Sequence, residues 1–536
     1  MITLSDIPRK WSRLAPDREA LVFEEHRLSW RALDERVDRL AHAFRALGIG
    51  PGEHIAVLAF NHHRFVELYY AASRAGNVIV PLNWRLGGDE LRHILEDSEV
   101  VALFVDPEFW PVVQEIRSEV PALRSVVSLG DPIEGAEEYE ALLAAAPSGP
   151  FADVRDENSL FILMYTGGTT GEPKGVMISN RNIMTGTLGC LQAGAEIRQT
   201  DSTLMVLPLF HISLWPVTGA HYVGARVVVS RRFDMAEMLD TLEREQINHV
   251  NFVPTLIGLL IDTPGVEDHD LSKLRVISFG GAPASLELLL RLRARFPDVE
   301  INQGYGMTEA APILSVLDGV AYSDTETPLG CRRLESAGRE AMTTEVRIVD
   351  AEGSADHQAL PAGVVGEVVA RGANIMLGYW KNPELTAERL RDGWLHTGDM
   401  GMIDEDGFIF LVGRKDDMII TGGENVYPRE VEDVILTHPA VAECAVVGMP
   451  DPVWGEQVAA FVVLGSGQSV SAEEIAAFCE TKLAGYKKPR RVEFVEDLPK
   501  TMIGKVSHRE VRDAQRQRED SNTAPTSSTK NQARQE

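Results

Sequence analysis

Apolar and polar residues alternate along the first half of the chain in blocks that predict helices and strands in turn. One predicted helix ends in the glycine-rich stretch 48–52. Its apolar face repeats at helical spacing through Leu33, Val37, Leu40, Phe44 and Leu47. Short apolar runs of strand type, each followed by a turn, lie at 55–60, 78–80, 159–164, 227–229, 250–253 and 276–279. Because helical and strand-like segments alternate, we predict an α/β fold with a buried, largely parallel sheet.

The pattern changes from about Val364 onward. Short apolar runs around tight turns predict small antiparallel strands there, and the chain beyond Asp417 predicts a compact α+β unit. Its predicted strands are 437–447, 458–464 and 492–495, and its predicted helix is 471–483. The residues from Asp513 onward are polar and cannot bury enough apolar surface to order themselves. We therefore expect a disordered tail at 513–536.

Length and charge narrow the functional class. With 536 residues the chain is long enough for roughly two to four domains. Its formal charge of −28 opposes non-specific binding to nucleic acids or anionic membranes, so we expect no nucleic-acid partner. The four cysteines lie far apart and show neither zinc nor disulfide spacing. Neither a signal peptide nor an apolar run near the ~20 residues of a membrane span is visible, which predicts a cytoplasmic protein without a transmembrane segment.

A glycine- and threonine-rich segment, YTGGTTGEPKG at 165–175, follows an apolar strand. Its glycines let backbone amides approach an anion closely. Thr166, Thr169 and Thr170 add hydroxyl donors, and Lys174 adds a positive charge. The spacing is neither that of a Walker A loop nor that of a G-x-G-x-x-G fingerprint. The segment predicts a phosphate-binding loop, and the alternative is a flexible loop without a ligand.

This segment resembles the signature loop of the adenylate-forming superfamily, which includes acyl-CoA synthetases, peptide-synthetase adenylation domains and firefly luciferase. The family usually has Ser where this chain has Gly167. Further matches follow in family order over nearly the whole chain: LPLFH at 207–211, GGAP at 280–283, QGYGMTE at 303–309, 366–380, WLHTGD at 394–399, GRKDD at 413–417, GGENVYP at 422–428 and PKTMIGK at 499–505.

The resemblance implies an acyl-CoA synthetase-like α/β architecture in two parts. A large N-terminal AMP-binding domain of several subdomains is expected at 1–415. A small, mobile α+β C-terminal domain is expected at 416–512, after a hinge at Asp416, which aligns with the family hinge. The resemblance further implies that this domain rotates between two half-reactions.

The attack of a carboxylate on the α-phosphate of ATP brings two anions together, so the site needs positive charge and precise positioning. The resemblance assigns catalytic roles to Lys505, Thr308, Glu309 and His211. Lys505 would bridge the carboxylate and the α-phosphate, and Thr308 would donate to that phosphate. Glu309, with Thr169, would hold Mg²⁺, which prefers few carboxylates beside phosphate oxygens. Without the other motifs, Lys505 would be read as an exposed lysine and His211 as an ordinary core histidine.

The resemblance also implies a site for ATP and AMP. Within it Tyr305 would stack on adenine, and Asp399 and Arg414 would contact the ribose, although Asp399 alone also fits a turn. The implied residues are Thr166, Gly167, Gly168, Thr169, Thr170, Gly171, Lys174, Gly281, Ala282, Pro283, Gly304, Tyr305, Gly306, Met307, Thr308, Asp399 and Arg414.

Two further sets of residues concern the acid and the acceptor. His211, Trp215 and Val253 match the acyl pocket, with Trp215 either a gate or simple packing. Amino-acid adenylation domains usually carry Asp in this region, and its absence favours a plain carboxylic acid. The resemblance also implies a coenzyme A site that comprises Gly422, Gly423, Trp454, Tyr486 and Lys488. An aromatic face and a cation suit an adenine with a phosphate.

The sequence therefore predicts an ATP- and Mg²⁺-dependent acid–CoA ligase for a medium-chain, long-chain or other apolar carboxylic acid. Transfer of the acyl group to a carrier protein or a small amine is the first alternative. A non-catalytic nucleotide-binding protein and a luciferase-type oxygenase are alternatives of other classes. A homodimer is compatible with the family, although no interface can be read from the sequence.

Overall fold

The structure, a computed structural model, describes residues 3–154, 156–166, 173–193, 196–211, 213–325, 327–351, 357–500 and 506–523. These residues form two compact units. The first comprises the chain up to Thr397 together with Gly401–Leu411, and the second comprises Gly398–Met400 and the chain from Val412 onward. No helix of the described residues is both long enough and apolar enough to cross a membrane.

The strands of the described residues alternate with helices in the first half of the chain, as the sequence predicts. In chain order they are β1 (Glu19–Phe23), β2 (His26–Ser29), β3 (His54–Leu58), β4 (Val78–Pro81), β5 (Val100–Val105), β6 (Ser125–Ser128), β7 (Glu137–Glu138), β8 (Leu160–Thr166), β9 (Lys174–Ser179), β10 (Ser202–Met205), β11 (Arg226–Val229), β12 (His249–Phe252), β13 (Val276–Gly280), β14 (Glu300–Gly306), β15 (Ile313–Leu317), β16 (Arg339–Glu340), β17 (Thr344–Val349), β18 (Gly366–Gly372), β19 (Gly378–Tyr379), β20 (Leu390–Arg391), β21 (Trp394–Ile403), β22 (Ile409–Arg414), β23 (Ile419–Thr421), β24 (Glu424–Val426), β25 (Val441–Asp451), β26 (Gly455–Leu464) and β27 (Arg491–Phe494).

The α-helices of the described residues mostly join consecutive strands. They are α1 (Asp6–Leu14), α2 (Trp30–Ala46), α3 (His63–Ala75), α4 (Gly88–Asp97), α5 (Trp110–Ile116), α6 (Tyr139–Ala145), α7 (Asn180–Ala193), α8 (Leu214–Val223), α9 (Met235–Arg244), α10 (Pro254–Asp262), α11 (Leu286–Arg295), α12 (Pro328–Leu334), α13 (Pro383–Arg389), α14 (Pro428–Leu436), α15 (Ala472–Glu480) and α16 (His508–Thr523).

The first unit is built on two large sheets and a smaller one. The nine-stranded sheet has the order β16-β15-β14-β13-β12-β10-β11-β1-β2, and the eight-stranded sheet has the order β19-β9-β8-β4-β3-β5-β6-β7. Neighbouring strands from β14 to β1, and from β8 to β7, are parallel. A five-stranded sheet has the order β17-β18-β21-β20, with β22 paired to β21. The predicted α/β fold is therefore confirmed.

The apolar periodicity of the sequence explains how these elements pack. Helix α2 buries Leu33, Val37, Leu40 and Phe44, the face that the sequence predicts. The hydroxyl of Ser29 accepts a hydrogen bond from the Ala32 amide at 3.2 Å and so caps the first turn. The buried face joins the main core cluster of the first unit.

The second unit is a small α+β structure. Its five-stranded sheet has the order β24-β23-β26-β25, with β27 paired to β26. Helices α14 and α16 both pack on β25. Helix α16, His508–Thr523, overlaps the start of the tail that the sequence predicts at 513–536. Val511 and Gln515 are buried, and this anchors the helix beyond the point where its low apolar content suggested disorder.

A buried histidine gives the first unit a predicted dependence of stability on pH. The side chain of His221 is fully buried, with Nε2 at 3.0 Å from the Ala20 carbonyl and Nδ1 at 2.6 Å from the Tyr70 hydroxyl. Since a carbonyl only accepts, Nε2 carries the proton and Nδ1 accepts from Tyr70. Burial lowers the pKa of His221 from 6.5 to about 4. The folded protein therefore keeps this ring neutral at pH values where the unfolded chain already binds a proton.

We expect the free energy of unfolding to fall as pH drops from 6.5 towards 4, because the unfolded state then binds the proton that folded His221 excludes. Above pH 6.5 this residue contributes no dependence on pH. The slope from one such group is at most about 1.4 kcal/mol per pH unit. Urea unfolding of the protein and of His221→Gln at pH 7, 6 and 5 measures it. An identical slope in the variant would contradict the assignment.

Candidate active site

The end of strand β14 leads into a sharp turn, and several predicted site residues lie at this turn. A side chain at Gly306 would collide with the Pro312 carbonyl, so only glycine allows the chain to fold back this closely. The Met307 amide donates to that same carbonyl at 2.8 Å. A single 3₁₀ turn, Thr308–Ala310, follows. The turn leaves Tyr305, Met307 and Thr308 half-buried, so their side chains remain accessible at this edge of the sheet.

Glu309 is the most constrained residue of this turn. Its side chain is buried, and Oε1 accepts a hydrogen bond from the Tyr379 hydroxyl at 2.8 Å. Its carbonyl accepts from the Met376 amide at 2.8 Å. Tyr379 lies on β19, which pairs with β9 so that Tyr379 is opposite Val176. The carboxylate is therefore fixed from a strand that adjoins the predicted phosphate loop.

The predicted phosphate loop follows β8 and precedes β9 in the sequence, and these two strands pair antiparallel. Thr166 and Lys174 face each other across the antiparallel strands, and both are half-buried. The Trp380 amide donates to the Gly175 carbonyl at 2.8 Å, which ties β9 to the segment that carries Tyr379. The predicted site residues Gly167, Gly168, Thr169, Thr170 and Gly171 lie outside the described residues, so their phosphate and metal contacts stay predictions.

The carboxyl ends of three parallel strands bring the remaining nucleotide and acyl residues of this unit together. Val253 directly follows β12, and a Cβ at Gly281 would lie 3.9 Å from its Cγ1. Gly280 of β13 pairs with Gly304 of β14. Ala282 is half-buried, whereas Gly281 and Pro283 are exposed. In open α/β sheets ligands bind at this edge of the strands, so the placement supports the predicted nucleotide site.

The segment before α8 is held from a distant part of the chain. The amide of Asn61 donates to the Leu207 carbonyl at 2.9 Å and accepts from the Leu209 amide at 2.8 Å. His211, at the end of this segment, is half-buried. Trp215 is only 2% exposed and packs in the main core, so its predicted role as an acyl gate would require it to leave that core. Sequence reasoning missed Asn61.

The second unit holds the predicted ribose residues. Arg414 Nη1 lies 2.7 Å from Asp399 Oδ1, and the Asp399 side chain is 15% exposed. One carboxylate oxygen is thus held by the guanidinium, and the pair presents both an acceptor and donors to a diol. Asp416 lies in a short 3₁₀ helix, Lys415–Asp417. Lys505 lies outside the described residues, and its catalytic role stays a prediction.

The predicted coenzyme A residues of the second unit only partly cluster. Gly422 and Gly423 turn between β23 and β24 with φ values of 61° and 86°. The Gly422 amide donates to the Trp454 carbonyl at 2.8 Å. The guanidinium of Arg490 lies over the Trp454 ring, 4.2 Å from its centroid, and was not predicted from the sequence. Arg490 directly precedes β27, which pairs with β26, the strand that follows Trp454. This strand pairing is the signal that could have identified Arg490.

The other two predicted coenzyme A residues contact different partners. The ammonium of Lys487 lies 5.7 Å from the centre of the Tyr486 ring. Lys488 Nζ forms an ion pair with Glu480 at 2.9 Å. The structure thus joins Trp454 to Gly422 and Arg490, whereas the contacts of Tyr486 and Lys488 lie with other residues.

The described residues contain no cluster of three His, Cys, Asp or Glu side chains that could hold a metal ion. Mg²⁺ is commonly held by one or two carboxylates together with phosphate oxygens and water. The buried, oriented carboxylate of Glu309 beside the phosphate-loop hairpin fits that donor set. A metal ion bound at Glu309 would therefore take most of its ligands from the substrate of the protein.

Two known protein families match successive parts of the chain. The AMP-binding enzyme family matches residues 8–380, and the AMP-binding enzyme C-terminal domain matches residues 430–505. The chain belongs to the AMP-binding enzyme family. The predicted membership of the adenylate-forming enzymes, with a large N-terminal and a small C-terminal domain, is thereby confirmed.

Several family members resemble the chain over nearly its whole length. A feruloyl-CoA synthase from an Amycolatopsis species is 38% identical over 513 residues, which cover 95% of this chain and 98% of the relative. The fatty acid–[acyl-carrier-protein] ligase ScoC from Streptomyces coeruleorubidus is 36% identical over 502 residues, covering 93% of each. The crystal structure of the anthranilate CoA ligase AuaEII in complex with anthranoyl-AMP has a TM-score of 0.87 at 28% identity, covering 97% of this chain and 98% of that one.

Proposed function

We propose that this AMP-binding enzyme is an acid–CoA ligase. It converts a carboxylic acid and ATP into acyl-AMP and diphosphate, and then transfers the acyl group to coenzyme A with release of AMP. The observation that carries the proposal is Glu309, buried, hydrogen-bonded by Tyr379 and held beside the hairpin of the phosphate loop. Such a carboxylate suits a magnesium-bound nucleoside triphosphate.

In the first half-reaction a carboxylate oxygen attacks the α-phosphorus of ATP, and the bond to the diphosphate oxygen breaks. Charge develops on the phosphate oxygens, so positioned donors lower the barrier. Thr308 donates to the α-phosphate, Lys174 and the loop 167–172 hold the diphosphate, and Lys505 bridges the two reacting anions. Bound Mg²⁺ would supply charge neutralisation at the phosphates. Asp399 and Arg414 orient the ribose.

In the second half-reaction the coenzyme A thiol loses its proton, its sulfur attacks the acyl carbonyl carbon, and the bond to AMP breaks. The Trp454 ring under the Arg490 guanidinium offers an aromatic face and a cation to the adenine and phosphate groups of coenzyme A. Gly422 lies at the same surface. The hinge at Asp416 is part of this proposal.

The acid itself is a plain carboxylic acid with a largely apolar body, either aliphatic or aromatic. Val253 and Met307, both half-buried at the carboxyl edge of the sheet, support an apolar lining near the reacting carboxylate. No carboxylate follows Phe210 where amino-acid adenylation domains carry one, since His211 stands there. The relatives named above differ in acid, which leaves the choice between aliphatic and aromatic bodies to experiment.

Loss of the Trp454–Arg490 pair is expected to weaken coenzyme A binding without affecting adenylation. In Trp454→Ala and Arg490→Ala the KM for coenzyme A should rise about 10-fold, the size of a lost partly desolvated cation–π contact. Acid-dependent diphosphate release without coenzyme A should be unchanged. Lys482→Ala is the matched control, because it removes a similar cation–ring contact with Phe478. Equal effects in all three variants would contradict the assignment of this surface.

The test of the function is diphosphate release from ATP and Mg²⁺ with a panel of carboxylic acids, with and without coenzyme A. Release that needs an acid and rises with coenzyme A establishes the ligase. Acid-dependent release that is indifferent to coenzyme A moves the acceptor to a carrier protein or a small amine. Absence of release with every acid, in protein that still binds ATP, would refute catalysis of this kind.

A further inference from the structure

The chain on either side of the proposed catalytic lysine is held together within the second unit. Lys505 and the four residues before it lie outside the described residues. Lys500 and Val506, which flank them, pair as an antiparallel β-bridge, and the Ser507 amide donates to the Pro499 carbonyl at 2.8 Å. Val506 also packs against a core cluster formed by β25, β26 and α16. The backbone that adjoins Lys505 is therefore held where α16 begins.

Helix α16 begins at His508, three residues after Lys505. The Ser507 hydroxyl accepts from the Glu510 amide at 3.3 Å, and the Ser507 carbonyl accepts from the Val511 amide at 3.0 Å. These contacts cap the first turn of the helix. The bridge and the helix are thus continuous, so a contact that fixes His508 also fixes the chain that leads back to Lys505.

The side chain of His508 contacts a buried carboxylate on α14. His508 Nε2 lies 2.6 Å from Glu432 Oε1, and the Glu432 side chain is only 7% exposed. The same oxygen accepts from the Val446 amide of β25 at 2.8 Å. Because an ionised carboxylate only accepts, Nε2 of His508 carries a proton. One carboxylate therefore joins α14, β25 and the start of α16.

Three charged groups and one thiol surround this contact. Glu432 and Asp417 attract a positive charge on His508, and Arg512 of α16 opposes it. Arg512 Nη2 lies 3.8 Å from Asp417 Oδ1, and Asp417 ends the short 3₁₀ helix at the predicted hinge. On β25, burial and the charge of Glu432 raise the pKa of the Cys444 thiol, which therefore stays neutral. Two carboxylates thus face His508 against one cation.

This arrangement favours the charged form of His508. Burial disfavours the charge, but the hydrogen bond to Glu432 and the negative charges of Glu432 and Asp417 raise the pKa of His508 above its ordinary value of 6.5. The helix dipole opposes a cation at the first position of a helix, so the charge depends on these carboxylates. A neutral ring would keep only the hydrogen bond and lose the attraction of unlike charges. The contact between α16 and α14 should therefore weaken as pH rises through that raised pKa.

We propose that His508 is a positioning residue for adenylation, whose ion pair with Glu432 holds the start of α16 and so the backbone from which Lys505 acts. This inference rests on the proposed ligase function, in which Lys505 bridges the acid and the α-phosphate. A misplacement of about 1 Å can cost roughly 10²-fold in rate. Loss of the ion pair should therefore slow adenylation, whereas thioester formation, in which Lys505 has no proposed role, should change little.

Substitution of His508 tests the ion pair in each half-reaction. In His508→Gln, single-turnover diphosphate release without coenzyme A should fall about 10-fold at pH 7, within the range for a small misplacement. Thioester formation from preformed acyl-adenylate should stay nearly normal. His508→Arg keeps a positive charge towards Glu432 and should restore most of the adenylation rate, since arginine stays protonated at every pH used.

The pH profile separates the charge of His508 from a merely structural role. Between pH 6.5 and pH 9 the adenylation rate of the unaltered protein, divided by that of His508→Arg, should fall about 5-fold, the upper end for one partly exposed ion pair. This ratio cancels every other titrating group that the two proteins share. His438→Gln is the matched control, because His438 of the same unit accepts from the Ala440 amide at 3.2 Å and packs on Phe478. It should leave both half-reactions and the pH profile unchanged.

Hydrogen exchange at the Glu510 and Val511 amides measures the start of α16 without any turnover. Corrected for the intrinsic effect of pH, exchange should be faster in His508→Gln than in the unaltered protein, and at pH 9 slowest in His508→Arg. A rate ratio that does not change with pH, equal losses in both half-reactions, or the same exchange in all three proteins would overturn this inference while the ligase function stood. Absence of diphosphate release with every acid would instead refute the proposed function, and the role in adenylation with it.

Discussion

Replacement of Lys505 by alanine should lower the rate of acid-dependent diphosphate release roughly 10²–10³-fold, the loss typical of one preorganised charge-stabilising group. The carboxylate and the α-phosphate are both anionic, and an ammonium between them offsets a repulsion that grows as the new bond forms. Single-turnover diphosphate release at saturating ATP measures the adenylation step itself. The thermal midpoint should not change, since no part of the predicted role concerns folding.

Lys500→Ala provides the control in the same segment. Lys500 is ion-paired with Glu443 at 2.8 Å and lies five residues before Lys505, so its loss removes equal charge from the neighbourhood without removing the proposed bridge. A second control supplies preformed acyl-adenylate, from which Lys505→Ala should still make the thioester at a nearly normal rate. Equal loss in both lysine variants, or in both half-reactions, would assign Lys505 a general rather than a catalytic role.

Local patterns predicted the elements of the fold because each element has its own periodicity. The apolar run at 276–279 became β13, Val276–Gly280, and the helical face beginning at Leu33 became α2. The predicted strand 437–447 begins only at Val441, because α14 extends to Leu436 and a turn follows. Apolar content marks a strand well, whereas a strand's first residue depends on the end of the preceding helix.

The contacts that orient the candidate site could not be predicted in this way. Tyr379 reaches Glu309 across 70 positions of sequence, and Asn61 reaches Leu209 across 148. Such pairs follow from strand pairing between distant segments, which leaves no periodic signal in either partner. The motifs identified Glu309, but only the structure shows what fixes its carboxylate.

Val253, which the resemblance assigns to the acyl pocket, is apolar and directly follows β12. Strand β12 nevertheless alternates polar and apolar residues, with His249 and Asn251 on one face and Val250 and Phe252 on the other. Alternation of this kind assigns polar side chains to one face of a strand. The residue pattern by itself therefore indicates polar side chains on one face of β12 and apolar side chains on the other.

Glu309→Gln is expected to lower diphosphate release roughly 10²–10³-fold, comparable with the loss of other groups that stabilise charge in a transition state. Glutamine keeps an oxygen that accepts from Tyr379, so the 2.8 Å hydrogen bond and the fold should be retained while the negative charge is lost. The thermal midpoint should therefore change little. Glu340→Gln, whose carboxylate accepts from the Val346 amide at an exposed position, is the matched control and should remain active.

Tyr379→Phe separates the orientation of Glu309 from its charge. It removes only the hydroxyl, so the carboxylate remains but loses its fixed direction at a cost of about 1–3 kcal/mol for a buried polar group left unpaired. We expect a fall of about 10-fold in diphosphate release at low Mg²⁺, largely recovered at high Mg²⁺, because a less oriented carboxylate needs more metal to fill the site. A purely structural role for Tyr379 would lower the thermal midpoint without changing the Mg²⁺ concentration for half-maximal activity. Added Mg²⁺ should not restore diphosphate release in Glu309→Gln, because this variant lacks the negative charge. Recovery of both Glu309→Gln and Tyr379→Phe at high Mg²⁺ would place the metal elsewhere.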